Sequence, residues 1–288
     1  MSTHVHKVAM AQFSPVLGDV GANLDKHLSY VREAVEARAK ILVFPELGLT
    51  GYQTQDLTLE VARPVHHPEI QLLVDASREI DILFSFVEEA EDYRFYVSAV
   101  YASGGSILHI HRKAYLPTYG MFDERRYFAA GDSFETFRTA LGKTGVMICE
   151  DAWHLSSPYL LAMNGATVVF VPASSPWRNA MAAEDLGSHA FWRQLLQTYA
   201  QLLGLHVVFV NRVGYEDGVH FYGGSGVVGP DGSWIAQAKS NEETLVFAEI
   251  DVRATRRARY TTPLVRDERM DIVKRQLDGI LRRGSTHA

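Results

Sequence analysis

The chain has 288 residues, 47% of them apolar and 22% charged, and a net charge of −6. This is the balance of a soluble globular protein, and its sign argues against nucleic acid or an anionic membrane as the main partner. A single cysteine excludes an internal disulfide, and no signal-like region or apolar run of roughly 18 residues is present, so a cytoplasmic location is expected.

Strand-like and helix-like segments then alternate. Residues 8–13 are predicted as a first strand, and 23–38 as a helix carrying Leu24, Leu28, Val31, Ala34 and Val35 at helical spacing. Residues 40–44 form a short apolar strand, predicted to be buried on both faces. A helix over 68–80 and a strand over 82–87 follow. Residues 96–101 and 105–111 read as an antiparallel pair around Ser103-Gly104-Gly105. Beyond it come a strand at 145–149, a short helix at 158–164, a strand at 167–171, a long helix at 187–203 and a strand at 207–211. Residues 222–228 and 233–238 flank Gly229-Pro230-Asp231-Gly232, a hairpin signal, and 245–250 is a last strand. The basic cluster Arg253, Arg256, Arg257, Arg259 reads as a solvated face. Residues 267–283 form a helix with Met270, Val273, Leu277, Ile280 and Leu281 on one side, suited to docking on the domain or on a second subunit. With no linker or repeat, the pattern predicts one α/β domain over 1–288.

Three polar residues stand where strands end. Glu46 follows the strand at 40–44 and a proline, Lys113 follows His111-Arg112, and Cys149 precedes Glu150-Asp151. Ligands of α/β proteins gather at such strand ends. Singly, each has a plain reading: a loop carboxylate, a solvated lysine, a small buried hydrophobe. Together they make a chemistry. A thiol attacks a carbonyl carbon, a carboxylate takes the thiol proton and returns it to a leaving amine, and an ammonium stabilises the oxyanion. The same ammonium is expected to lower the thiol's pKa. Spacing alone does not bring the three together.

Phe44-Pro45-Glu46 with Leu49-Thr50-Gly51-Tyr52, Arg112-Lys113 with Leu116-Pro117, Asp123-Glu124-Arg125-Arg126-Tyr127-Phe128, and Ile148-Cys149-Glu150-Asp151 occur in this order. In this the chain resembles the nitrilase, or carbon–nitrogen hydrolase, superfamily over roughly 7–250, leaving 251–288 as a tail for docking or oligomer contacts. The resemblance implies a four-layer αββα sandwich of two mixed β-sheets. It implies Glu46 as general base, Lys113 as electrostatic stabiliser, Cys149 as nucleophile and Glu124 as a supporting carboxylate. No cofactor or metal is implied. The branch it is most similar to is the glutaminase domain of glutamine-dependent NAD synthetase, through Tyr119-Gly120-Met121-Phe122, Cys149-Glu150-Asp151-Ala152-Trp153, Ala173-Ser174-Ser175-Pro176 and Asn211-Arg212-Val213-Gly214. That likeness implies a pocket walled by Tyr52, Tyr119 and Phe122, with Glu150 for an α-ammonium and Ser175 and Arg178 for a carboxylate.

Two departures from that branch bear on substrate choice: Val97 where many relatives have Asn, and Gly214-Tyr215-Glu216-Asp217 in place of Gly-Gly-Gln-Asp. No Ser-Gly-Gly-x-Asp-Ser loop of an ATP pyrophosphatase is present, so the chain alone is not expected to make NAD. The expected activity is hydrolysis of a small terminal carboxamide, L-glutamine or a similar ω-amide, in a homo-oligomer. Hydrolysis of an N-carbamoyl amino acid or amine is the alternative. A third is a glutaminase-like subunit that supplies ammonia to a separate synthetase. Glu150 after the cysteine disfavours nitriles, since nitrile-hydrolysing relatives usually carry Trp there. His109 and His111 share a strand face without a companion carboxylate motif, Gly223-Gly224-Ser225-Gly226 reads as a bend, and Asp151 reads as structural.

Overall fold

The computed structural model describes residues 4–177 and 187–284. Its strands, in chain order, are β1 (Val5–Gln12), β2 (Ile41–Val43), β3 (Asp81–Glu89), β4 (Phe95–Ser103), β5 (Ser106–Arg112), β6 (Thr136–Thr139) and β7 (Gly142–Val146). There follow β8 (Val168–Ala173), β9 (His206–Asn211), β10 (Val213–Glu216), β11 (Val219–Tyr222), β12 (Gly226–Val228), β13 (Trp234–Gln237) and β14 (Thr244–Asp251). One six-stranded sheet has the order β14-β1-β2-β3-β4-β5, the other β13-β12-β9-β8-β7-β6, and β10-β11 form a separate hairpin. Both large sheets are mixed: β1-β2-β3 and β7-β8-β9 are parallel runs flanked by antiparallel strands.

Side-chain alternation builds the four layers. Along β8, Val168 and Phe170 join the core between the sheets, while Val169, Val171 and Ala173 join the core under the outer helices. Along β9, Val208 and Val210 point inward, while Val207 and Phe209 face Trp192 and Leu196 of the helix Ser188–Leu203. Buried on both faces, these strands are apolar without a break. Helices Val20–Glu36 and Pro68–Ala76 cover the first sheet through Leu24, Val31, Ile70 and Leu73. Helices Ser156–Met163 and Ser188–Leu203 cover the second. The αββα sandwich expected from the motifs is the observed fold.

Local boundaries differ from expectation for identifiable reasons. The first helix begins at Val20, because the Asp19 carboxylate accepts from Ala22 N at 2.9 Å and caps it. It stops at Glu36, since Arg38 turns to φ 56°. The helix expected over 68–80 ends at Ala76, where Ser77 Oγ donates to Val74 O at 2.6 Å. The strand placed at 145–149 is β7, ending at Val146, so Cys149 lies beyond the strand. The strand placed at 222–228 is broken by Gly223 and Gly224 at φ 77° and 72°. Hairpin β10-β11 and edge strand β6, both short and partly polar, had no periodic signal.

The basic cluster lies on the helix Arg253–Thr261, and Arg259 is no solvated residue. Its guanidinium donates to Leu203 O, Gly204 O and Ala166 O, gripping the end of the helix Ser188–Leu203. The helix Met270–Gly284 leaves Met270, Leu277, Ile280 and Leu281 exposed. Among the described residues no helix is long and apolar enough to cross a membrane.

A close backbone approach holds the loop after β5. Gly131 N donates to Lys113 O at 2.8 Å, and a Cβ on Gly131 would lie 2.1 Å from Arg112 O. Gly131→Ala is therefore expected to lower stability by about 1–3 kcal/mol, the scale of overpacking. Thermal unfolding reads this, and an unchanged Tm would show that the loop can retreat freely.

Candidate active site

The site forms where the parallel strands of both sheets end. The chain leaves β2 through Phe44 and Pro45, with Phe44 N still paired to Leu83 O, and then turns at Leu47, φ 49°. This leaves Glu46 fully buried between the sheets. Its Oε1 accepts from Lys113 Nζ at 2.6 Å, and its Oε2 accepts from Ser174 N at 2.8 Å. Ser174, just past β8, also donates its hydroxyl to Glu46 O at 2.8 Å. The carboxylate is thus clamped from the opposite sheet.

Lys113 follows β5, its N–H bonded to Val97 O at 2.9 Å. Val97 itself is buried in the core and meets Lys113 through its backbone carbonyl. Lys113 Nζ donates to Glu46 and, at 2.7 Å, to Glu124 Oε1. Burial opposes the ammonium charge, but the Glu124 and Glu46 carboxylates outweigh it and hold the pKa well above the usual lysine range. An ammonium has three N–H bonds. Two are committed to these carboxylates, which leaves one for a ligand among the described residues.

Glu124 is buried and accepts from Tyr52 OH at 2.6 Å on the same oxygen. Its Oε2 has no partner among the described residues. Burial raises its pKa from 4.5 to about 7, against the pull of Lys113.

Cys149 sits at φ 45°, a left-handed conformation unusual for a side-chain-bearing residue. Asp151 holds that bend. Its Oδ2 accepts from Ile148 N at 2.9 Å and from His111 Nε2 at 2.8 Å, and its Oδ1 accepts from Ala114 N and Tyr115 N, both at 3.0 Å. One buried carboxylate therefore ties the cysteine bend to the segment that carries Lys113. The structural reading of Asp151 describes what is seen, and His111 is engaged with it. Burial raises the Cys149 thiol well above its usual range, Glu46 adds to this, and Lys113 and the Ser174 N–H pull it back only in part. Lys113 does lower the thiol's pKa, as expected, but burial outweighs it and the net direction is upward.

Cys149 opens on a narrow cleft lined by Tyr119, Phe122, Glu150, Trp153, Ser175, Pro176 and Ser188, with about 20 Å³ free, little more than one water's worth. Tyr119 OH donates to Glu150 at 2.8 and 3.0 Å, and burial raises the Glu150 pKa. Ser175 Oγ accepts from Trp192 Nε1 at 2.9 Å, and Ser175 N donates to Asn211 Oδ1 at 2.8 Å. Tyr52 stands behind Phe122, edge-on at 6.1 Å, with its hydroxyl on Glu124 rather than in the cleft. Arg178 lies outside the described residues. The structure thus brings Glu46, Lys113, Glu124 and Cys149 together, with Tyr119, Phe122, Glu150 and Ser175 at the cleft. Sequence reasoning missed Ser174, whose signal was a serine directly after a strand. A larger cavity of about 670 Å³, lined by Leu202, His206, Asp251 and Leu264 among others, lies apart from Cys149 and contains none of these groups.

Residues 7–260 match the carbon-nitrogen hydrolase family. The glutamine-dependent NAD(+) synthetase of Acinetobacter baylyi is 32% identical over 253 residues, covering 87% of this chain. The chain spans only 45% of that protein's length. The N-carbamoylputrescine amidase of Solanum tuberosum is 30% identical over 285 residues, 93% of each protein. A carbon-nitrogen hydrolase from Helicobacter pylori G27 has a similar crystal structure, with TM-score 0.86 and 25% identity over 95% of this chain and 99% of that one.

Glu124 binds its proton more tightly in the folded than in the unfolded chain. Its contribution to stability is complete below 4.5 and is lost as pH rises through about 7. Glu124→Gln removes this titration, so wild-type protein is expected to lose stability relative to the variant across that window. Thermal unfolding of both at stepped pH checks it, and a constant Tm difference would assign the titration elsewhere.

Proposed function

The chain belongs to the carbon–nitrogen hydrolase family, and on that premise we propose that it is a cysteine-dependent amidohydrolase releasing ammonia from a small terminal carboxamide. The observation that carries this reading is the buried Lys113 ammonium, bonded to both Glu46 and Glu124 and keeping one N–H for a substrate oxygen. In the proposed cycle Glu46 takes the Cys149 proton as Sγ attacks the carbonyl carbon. Lys113 stabilises the resulting oxyanion. Glu46 returns the proton to the nitrogen, the C–N bond breaks, ammonia leaves and an acyl-thioester remains. Glu46 then draws a proton from water, the hydroxide adds to the thioester, and collapse gives the acid and the thiol. Glu124 keeps Lys113 oriented and charged.

L-Glutamine or a similar ω-amide is the first substrate proposed, because Glu150 offers a carboxylate at the cleft to an α-ammonium. Likeness over almost the whole of both chains to an N-carbamoylputrescine amidase favours a second reading, attack on an N-carbamoyl amine by the same residues. Likeness to a synthetase twice as long supports a further role, a subunit that hands ammonia to a separate synthetase. The exposed apolar side of the helix Met270–Gly284 supports a tail used in homo-oligomer or partner contacts.

Cys149→Ala is expected to lower ammonia release by at least about 10³-fold, the scale for losing a nucleophile. Equal release from the variant would end the reading. Arg178→Ala separates the substrates. For glutamine the KM is expected to rise about 10–100-fold, the loss of a charged hydrogen bond to the α-carboxylate. For a carbamoyl amine without a carboxylate it should not move. Release from carbamoyl compounds alone, in a screen with glutamine and ω-amides, would reject glutamine.

A further inference from the structure

We propose that Glu216 is a positioning residue for the Lys113 ammonium: it clamps the turn at Tyr52 and Gln53, and so seats the Tyr52 hydroxyl on Glu124. The inference rests on the amidohydrolase reading for the use made of that ammonium, and on geometry for the rest.

Glu216 ends β10, far along the chain from Tyr52, yet its Oε1 accepts from both Tyr52 N, at 2.9 Å, and Gln53 N, at 2.7 Å. Its Oε2 accepts from Arg212 Nη1 at 2.5 Å. Both residues are buried, Arg212 completely, and the guanidinium also lies 4.3 Å over the Phe221 ring. The turn is pressed onto this carboxylate. At Gly51, φ 81°, a Cβ would lie 3.0 Å from Glu216 Oε2 and 2.8 Å from Leu17 Cα. Tyr52 is thus held by its backbone through Glu216 and by its ring through Phe221 and Phe122, at 6.0 and 6.1 Å. Its hydroxyl then reaches Glu124 Oε1, the oxygen that also holds Lys113.

The chemistry calls for a carboxylate at this position. Two N–H groups converge on one oxygen while a guanidinium occupies the other. A glutamine has one acceptor oxygen and would turn its NH₂ toward Arg212, donor against donor. A buried ion pair is weak support for stability in itself, and neither Arg212 nor Glu216 lines the cleft. The remaining consequence of the pair is where it puts Tyr52.

Cys149 is the sole cysteine, so the mass of the whole chain reports its alkylation by iodoacetamide. Arg212→Met with Glu216→Leu removes the clamp without stranding a charge. With Tyr52 unseated, Lys113 is less well held beside the sulfur. Alkylation near neutral pH is expected to slow about tenfold, equivalent to one unit in the thiol's pKa. Tyr52→Phe is expected to slow it similarly, and the three changes together no further than Tyr52→Phe alone, because the clamp works through that hydroxyl. On an amide substrate kcat should fall while KM holds. An unchanged alkylation rate in the pair variant, or losses that multiply in the combination, would overturn the inference. If the pair variant does not fold, Glu216→Gln serves, slower alkylation supporting the inference and a wild-type rate overturning it. Alkylation needs no amide substrate. Failure of the amidohydrolase reading would show separately, as wild-type protein that is alkylated yet releases no ammonia from any amide.

Discussion

The structure turns on one ammonium group placed out of water between two carboxylates. Removing a charge of this kind from solvent costs several kcal/mol, and only well-placed partners offset it. Lys113 has them in Glu46 and Glu124, each within 2.7 Å. The arrangement is a net negative cluster next to a thiol. Burial, with the Glu46 charge adding to it, raises the pKa of the Cys149 thiol and brings that of Glu124 to about 7.

Keeping these groups together falls to residues that do no chemistry. Asp151 accepts four hydrogen bonds and joins the Cys149 bend to the backbone just beyond Lys113. Ser174 reaches across from the second sheet to orient Glu46. The two sheets thereby meet through polar groups at one end and apolar side chains elsewhere. Because each polar partner is buried, the loss of one strands another, which couples the site's geometry to the stability of the sandwich.

The pattern of elements was legible because most strands are either buried on both faces, as at 40–44 and 207–211, or paired around glycine turns, as at 96–111. Boundaries were less legible. Asp19 as a cap and Ser77 as a stop act through single hydrogen bonds that leave no periodic trace. The edge strand β6 and the hairpin β10-β11 are short and owe their conformation to neighbours distant in sequence. The placing of Arg259 as a solvated residue failed for a similar reason: the carbonyls that it grips belong to the end of another helix and to the turn before β8.

The order of four motifs along the chain was enough to indicate the αββα sandwich, the carbon–nitrogen hydrolase family and the set Glu46, Lys113, Cys149 and Glu124. Glu46, Lys113 and Cys149 each follow a strand and Glu124 opens a short helix, and the motif around each is written in consecutive residues. What only the tertiary structure decided is how the groups share protons and hold one another. The raised thiol pKa, the shared oxygen of Glu124, the Asp151 tie and the Glu216 clamp each bring together segments distant in the chain, by 164 residues between Tyr52 and Glu216. Burial and charge act through space, and no stretch of sequence records the distances on which they depend.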